Sequence, residues 1–214
     1  MNMKKRFAAA FLLLGTASLA SAAPAIDVSA GFLLGVNLGK VSGLTSIAWG
    51  FRPGMLFGGF CNFSLNKVLS FEPQITFTQK GTLQTEDFQG GTITTSINLS
   101  YFEIPLLLKI AIPLGEDFRV HPRIFGGPTL AYKLSAKFVN RYDGLGGSED
   151  EYTILSDIKR WETGFVVGVG ADFDVKGGVF RADVRYGQSL ATISTTPPDK
   201  KNKVFTVMIG FAFK

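Results

Sequence analysis

The sequence predicts an all-β fold, an eight-stranded antiparallel up-and-down transmembrane β-barrel placed after a cleaved signal peptide. Three observations predict it. Apolar residues alternate with period two, and no helical period is present. The opposite face of the same segments carries small residues and charges of both signs. Short and long connections alternate along the chain, as turns and loops do at the two ends of such barrels.

The 214 residues suit one domain. Collagen-like and disordered classes are excluded, because the 25 Gly have no triplet period and aromatics reach 13%. One Cys, Cys61, and one His, His121, exclude an internal disulfide framework and multi-His or Cys-rich metal sites. No metal or cofactor is expected.

Residues 1–22 read as a signal peptide. Lys4, Lys5 and Arg6 form the basic start, Phe7 to Leu14 the apolar centre, and Ala20-Ser21-Ala22 the cleavage site. The apolar run is too short for a bilayer span. The mature domain is therefore expected at 23–214. Without the three signal cations, 19 Lys+Arg face 17 Asp+Glu, so charge gives no argument for nucleic acid.

The strands follow in order. Residues 31–39 and 51–63 alternate around many Gly. In 69–78, Leu69, Phe71, Ile75 and Phe77 oppose Ser70, Glu72, Gln74, Thr76 and Thr78. In 102–110, Phe102, Ile104, Leu106, Leu108 and Ile110 oppose Glu103 and Lys109. In 119–135, Val120, Pro122, Ile124, Leu130, Tyr132 and Leu134 oppose Arg119, His121, Arg123, Thr129, Lys133 and Ser135. Strands at 165–174 and 180–186 alternate Phe, Val and Ala with Gly, Asp and Arg. The last strand puts Phe205, Val207, Ile209, Phe211 and Phe213 on one face.

A soluble sandwich or lipocalin-like barrel would bury the apolar face and wet the other. Here Gly35, Gly58, Gly168, Gly170, Gly187 and Gly210 crowd the second face. A narrow interior needs that, with Gly on one strand making room for Arg on the next. The apolar face then meets lipid, and Cys61 lies on it. Short turns are expected around Asn66, at 113–118 and around Lys176-Gly177. Longer loops are expected at 40–50, 80–96, 137–160 and 193–202. An even strand count puts both termini on the periplasmic side. Phe63, Phe71, Phe173, Phe180 and Phe213 cluster at one rim.

The inward charges are Glu72, Glu103, Lys109, Arg123, Asp172, Arg181, Asp183 and Arg185. A buried charge needs a partner, and the set supplies both signs, so a structural network filling the lumen is expected rather than a transport path. Arg52, Lys133 and Asp174 share the inward parity. A two-residue turn at Lys176-Gly177 sets Asp172 opposite Arg181, and a turn one residue later sets Asp174 there instead. His121 lacks a second His and any G-x-S-x-G or H-E-x-x-H pattern, so no catalytic role is assigned and no enzyme is expected. Asp143, Glu149, Asp150 and Glu151 form an acidic loop without EF-hand spacing, read as solvated rather than as a Ca²⁺ site.

Three stretches carry a family resemblance: LSFEPQITFTQKG (69–81), YFEIPLLLKI (101–110) and RADVRYGQSL (181–190), followed by KVFTVMIGFAF (203–213). Together they resemble the PorT-like outer-membrane β-barrel family, best known from Bacteroidota. The resemblance implies an eight-stranded barrel of OmpA/OmpX-like architecture, integral to the outer membrane. It implies membrane lipid and the barrel-assembly machinery as partners, and secretion-system proteins if the role of the family's namesake in protein secretion and maturation applies. One departure stands out: many such barrels end on an aromatic residue, and here Phe213 is followed by Lys214.

Overall fold

The computed structural model describes residues 27–44, 49–88, 90–113, 119–144, 147–154 and 156–213. The expected signal peptide and its cleavage site lie outside these residues. Nine strands run through them: β1 (Asp27–Ser42), β2 (Gly50–Ser64), β3 (Leu69–Phe88), β4 (Gly91–Ala111), β5 (Val120–Gly144), β6 (Ser148–Thr153), β7 (Trp161–Val175), β8 (Gly178–Ser189) and β9 (Lys201–Phe213). All paired neighbours are antiparallel, in the order β4-β3-β2-β1-β9-β8-β7-β5, and β4 pairs with β5 to close the ring. Eight strands thus form a closed barrel. Closure pairs the backbone groups that an open edge would leave bare in lipid.

The alternation places side chains as expected. Val36, Ile75, Leu108, Val169 and Ile209 are exposed on the outer face, while Leu56, Thr76, Glu103, Arg181 and Met208 are buried inside. Cys61 is exposed on the outer face. Outward aromatics form rows along the ladders. Phe57, Phe77, Phe102, Tyr132 and Trp161 are successive register partners across five strands. Phe173, Phe180, Phe211 and Phe32 form a second row towards the end that carries both termini of the barrel. The expected rim cluster lies there, with Phe63 against Phe71 at 6.5 Å and Phe213 against Phe32 at 6.1 Å.

The two described turns at that end are short, while the turn expected at 113–118 lies, from 114 onward, outside the described residues. Asn66 Oδ1 accepts the amides of Val68 and Leu69, both at 2.8 Å, which closes the β2–β3 turn with a side chain. The β7–β8 hairpin turns at Lys176-Gly177, where Gly177 has φ +91°. This register sets Asp172 opposite Arg181 and sets Asp174 opposite Val179.

Several boundaries differ from the sequence expectation. The expected loop at 80–96 is a continuation of β3 and β4, paired up to Phe88 and Gly91. The expected loop at 137–160 contains the upper half of β5 and a ninth short strand, β6, paired with it from Lys137–Thr153 to Tyr142–Ser148. Ser135 points outward rather than inward. Tyr101 pairs with Lys133 but Ser100 pairs with Ser135, so Leu134 is an extra residue that reverses the alternation above it. A second irregularity lies in β2. Phe51 pairs with Thr82 and Leu56 with Thr78, which leaves five steps of β2 against four of β3. At that height Asn37 of β1 reaches β3 directly, donating to Thr78 Oγ1 at 2.8 Å and the Gln79 carbonyl at 2.9 Å.

Candidate functional site: the charged barrel interior

The interior is built by the inward residues of each strand, and glycine decides which of them fit. A Cβ on Gly170 would lie 1.8 Å from Asp183 Oδ1, and one on Gly168 would lie 2.5 Å from Phe125 Cζ. The space these glycines leave is therefore taken by Asp183 and Phe125, not by arginine as the sequence suggested.

Six of the eight expected charges meet in one network nearer the termini. Glu72 Oε2 accepts from Lys109 Nζ at 2.7 Å and from Arg181 at 2.6 Å. Gln74 donates to the other Glu72 oxygen at 3.0 Å, and Lys109 also donates to Asn62 at 3.2 Å. Arg123 pairs with both Asp172 and Asp183. Arg181 Nε lies 3.3 Å from Asp172 Oδ1 and its guanidinium stacks 4.1 Å from the Phe60 ring centroid. The two subclusters are joined through Arg181 and Asp172. Glu72, Lys109, Arg123, Arg181 and Asp183 are all buried. Two bonds to one carboxylate and a ring beneath the guanidinium offset the cost of removing these charges from water.

The other two expected charges sit higher. Glu103 pairs with Lys80, which also bonds Glu162 at 3.2 Å. Glu162 accepts from Ser189 at 2.8 Å and from Asn202 at 2.7 Å. Lys80 lies 5.1 Å from the Tyr101 ring centroid. Arg185 links the two levels by donating to Gln74 at 3.1 Å. Lys80 falls in the expected loop 80–96, and Glu162 falls between the expected loop 137–160 and the expected strand at 165–174, so neither is among the expected inward charges; β7 in fact starts at Trp161. The signal was available, since Lys80 continues the inward parity of Glu72, Gln74, Thr76 and Thr78.

Above this level the interior turns apolar. Val41, Ile97, Leu99, Tyr101, Ala131, Ala136, Ile158 and Ile193 form one buried cluster. Ile158 and Ile193 come from segments expected to be open loops. They are drawn over the barrel mouth by Lys159 N to Ile193 O at 2.7 Å, Lys133 N to Arg160 O at 2.8 Å and a bridge between Ile158 and Ser194. Lys133 is inward as expected, and its ammonium bonds the Ile158 carbonyl.

Two further inward assignments do not hold. Asp174 bonds His121 Nε2 at 2.9 Å on the exposed rim, outside the buried network. Arg52 takes no part in the lumen network, and its stem passes close to Gly81. Asp143, Glu149, Asp150 and Glu151 lie on or beside the β5–β6 hairpin, where Glu149 pairs with Arg141 and Glu151 with Lys137, both at 2.7 Å. No group of three or more potential metal-ligating side chains occurs among the described residues.

A closed eight-strand ring with an apolar outside and paired charges inside defines a kind of protein, and the family comparison fixes which. The model of the outer membrane protein beta-barrel domain matches residues 17–194. This chain belongs to that family. It is an integral outer-membrane β-barrel protein. Among solved structures it is similar to Neisserial surface protein A (16% identity, 88% of this chain and 99% of that one, TM-score 0.47). It is also similar to OprG from Pseudomonas aeruginosa (15% identity, 87% and 93%, TM-score 0.47) and to Ail of Yersinia pestis (15% identity, 87% and 99%, TM-score 0.43). No curated protein matches the chain.

Proposed function

We propose that this protein is a non-enzymatic outer-membrane barrel whose lumen is plugged by its own side chains and which acts through its extracellular end and protein contacts there. The observation that carries this reading is the pairing of Glu72, Lys109, Arg123, Asp172, Arg181 and Asp183 across the barrel, with Lys80, Glu103 and Glu162 above them. Mobile ions would have to break these pairs, and a buried charge stripped of its partner costs several kcal/mol. The space left between Lys80, Glu103, Glu162 and Arg185 is about 20 Å³, room for a single ordered water. Both termini are taken to face the periplasm, which sets the β3–β4 and β5–β6 extensions outside. A mature chain beginning at Ala23 fits this reading.

Swelling of proteoliposomes in a small sugar tests the plug. The wild-type protein is expected to swell no faster than empty liposomes, and swelling at porin-like rates would overturn the reading. Orientation is tested by protease shaving of intact cells, which is expected to cut within 143–151.

A second reading is favoured by the residues of 69–81 and 101–110: an accessory role in a protein secretion or surface-assembly machine, as in PorT. Co-purification from detergent-solubilised outer membranes would support it if a secretion component came down in constant ratio, and would remove it if only assembly factors did.

A further inference from the structure

On β3, β4 and β5 the outer face changes character within one step. Phe77 and Phe102 end the apolar row on β3 and β4, and on β5 it runs from Tyr132 to the exposed extra residue Leu134; above it Gln79, Ser100 and Ser135 are successive register partners. This edge holds a polar cavity of about 290 Å³ on the outside of the barrel, lined also by Arg52, Asn98, Lys137 and Glu151. Its size approaches that of small-molecule sites.

Two groups in it lack partners. No carboxylate lies within ion-pair distance of Arg52 among the described residues. Asn98 Oδ1 is a buried acceptor with nothing donating to it. Glu151 neutralises Lys137 at 2.7 Å, so the cavity keeps the charge of Arg52. The same level carries more cations. Lys40 and Lys203 are direct register partners across β1 and β9, and Lys40 sits 5.9 Å from the Phe51 ring centroid. Like charges directly opposite are unfavourable unless an anion lies between or above them.

We infer that this cavity is a binding site for the phosphorylated saccharide headgroup of an outer-leaflet glycolipid. The guanidinium of Arg52 takes a phosphate oxygen, a sugar hydroxyl donates to Asn98 Oδ1, and Ser100, Ser135 and Gln79 offer further polar contacts. The acyl chains lie on the apolar face just below, against Phe77, Phe102 and Tyr132. Lys40 and Lys203 meet the neighbouring headgroup charge. The inference rests on the orientation proposed above, which sets this edge in the outer leaflet.

The test is native mass spectrometry of the full detergent-solubilised protein. The probes are a bis-phosphorylated lipid A, its dephosphorylated form, phosphatidylethanolamine and a soluble sugar phosphate. The wild type is expected to retain the bis-phosphorylated lipid at least about tenfold better than the dephosphorylated one, the scale of one charge-assisted contact. Arg52→Gln, checked for heat-modifiable gel mobility, is expected to erase that preference. Equal retention of the two glycolipids by the wild type would overturn the site without any variant. So would an unchanged preference in a folded Arg52→Gln protein. Soluble sugar phosphate bound as tightly as the glycolipid would place the ligand in solution and overturn the lipid assignment. Binding in detergent does not depend on orientation, so a reversed topology on cells would strike only the proposed placement.

Discussion

Arg181 shows how much one side chain carries. It bonds Glu72, lies beside Asp172 and covers Phe60, so its removal takes one of two cations from each of two acids at once. Arg181→Ala is expected to lower the stability of the folded barrel by about 3–5 kcal/mol, read as a fall in the urea midpoint of heat-modifiable gel mobility. Arg141→Ala breaks an exposed pair with Glu149 and is expected to change stability by under about 1 kcal/mol. Equal losses in the two variants would mean that the buried network does not hold the interior. The residues of this network were legible in the sequence because parity alone puts a charge inside or outside. Which acid meets which base was not, apart from Asp172 and Arg181, because those partners come from strands far apart in the chain. Glu72 and Arg181 are 109 residues apart.

On a single strand, β7 tests the facing rule on adjacent positions. Val169 is exposed on the outer face, and Gly170 lies inward against Asp183. Val169→Arg is expected to cost roughly 2–4 kcal/mol of folding into bilayers, because it puts a cation in lipid. Gly170→Val is expected to block the fold by crowding in detergent and bilayer alike. Folding yields in vesicles of graded acyl length separate the two, since only the first variant should improve as the bilayer thins. A Val169→Arg barrel that folds at wild-type yield in every vesicle would contradict the facing. The lower halves of the strands were legible for the same reason: lipid on one side and a tight interior on the other enforce strict alternation. Above the apolar band that constraint ends. Gln84, Thr85, Thr92, Thr94 and Thr95 carry no apolar period, so the extensions of β3 and β4 read as loop although they pair. The extra Leu134 and the irregularity in β2 leave no mark on composition, so Ser135 and Arg52 were set on the wrong side.

Over the whole molecule, three layers lie on one axis: an ion-pair network near the termini, the Lys80–Glu103–Glu162 cluster above it, and the apolar cluster capped by Ile158 and Ile193. The barrel class followed from alternation, small inward residues and connection lengths. The cap did not, because isolated Ile residues in polar segments give no period to read. Each layer alone would narrow the interior, and together they make the central claim that the lumen is closed. Planar-bilayer recording of the purified wild-type monomer tests it most directly. The account predicts a silent membrane, with no reproducible step above the lipid baseline. Steady single-channel conductance of one fixed size would contradict it.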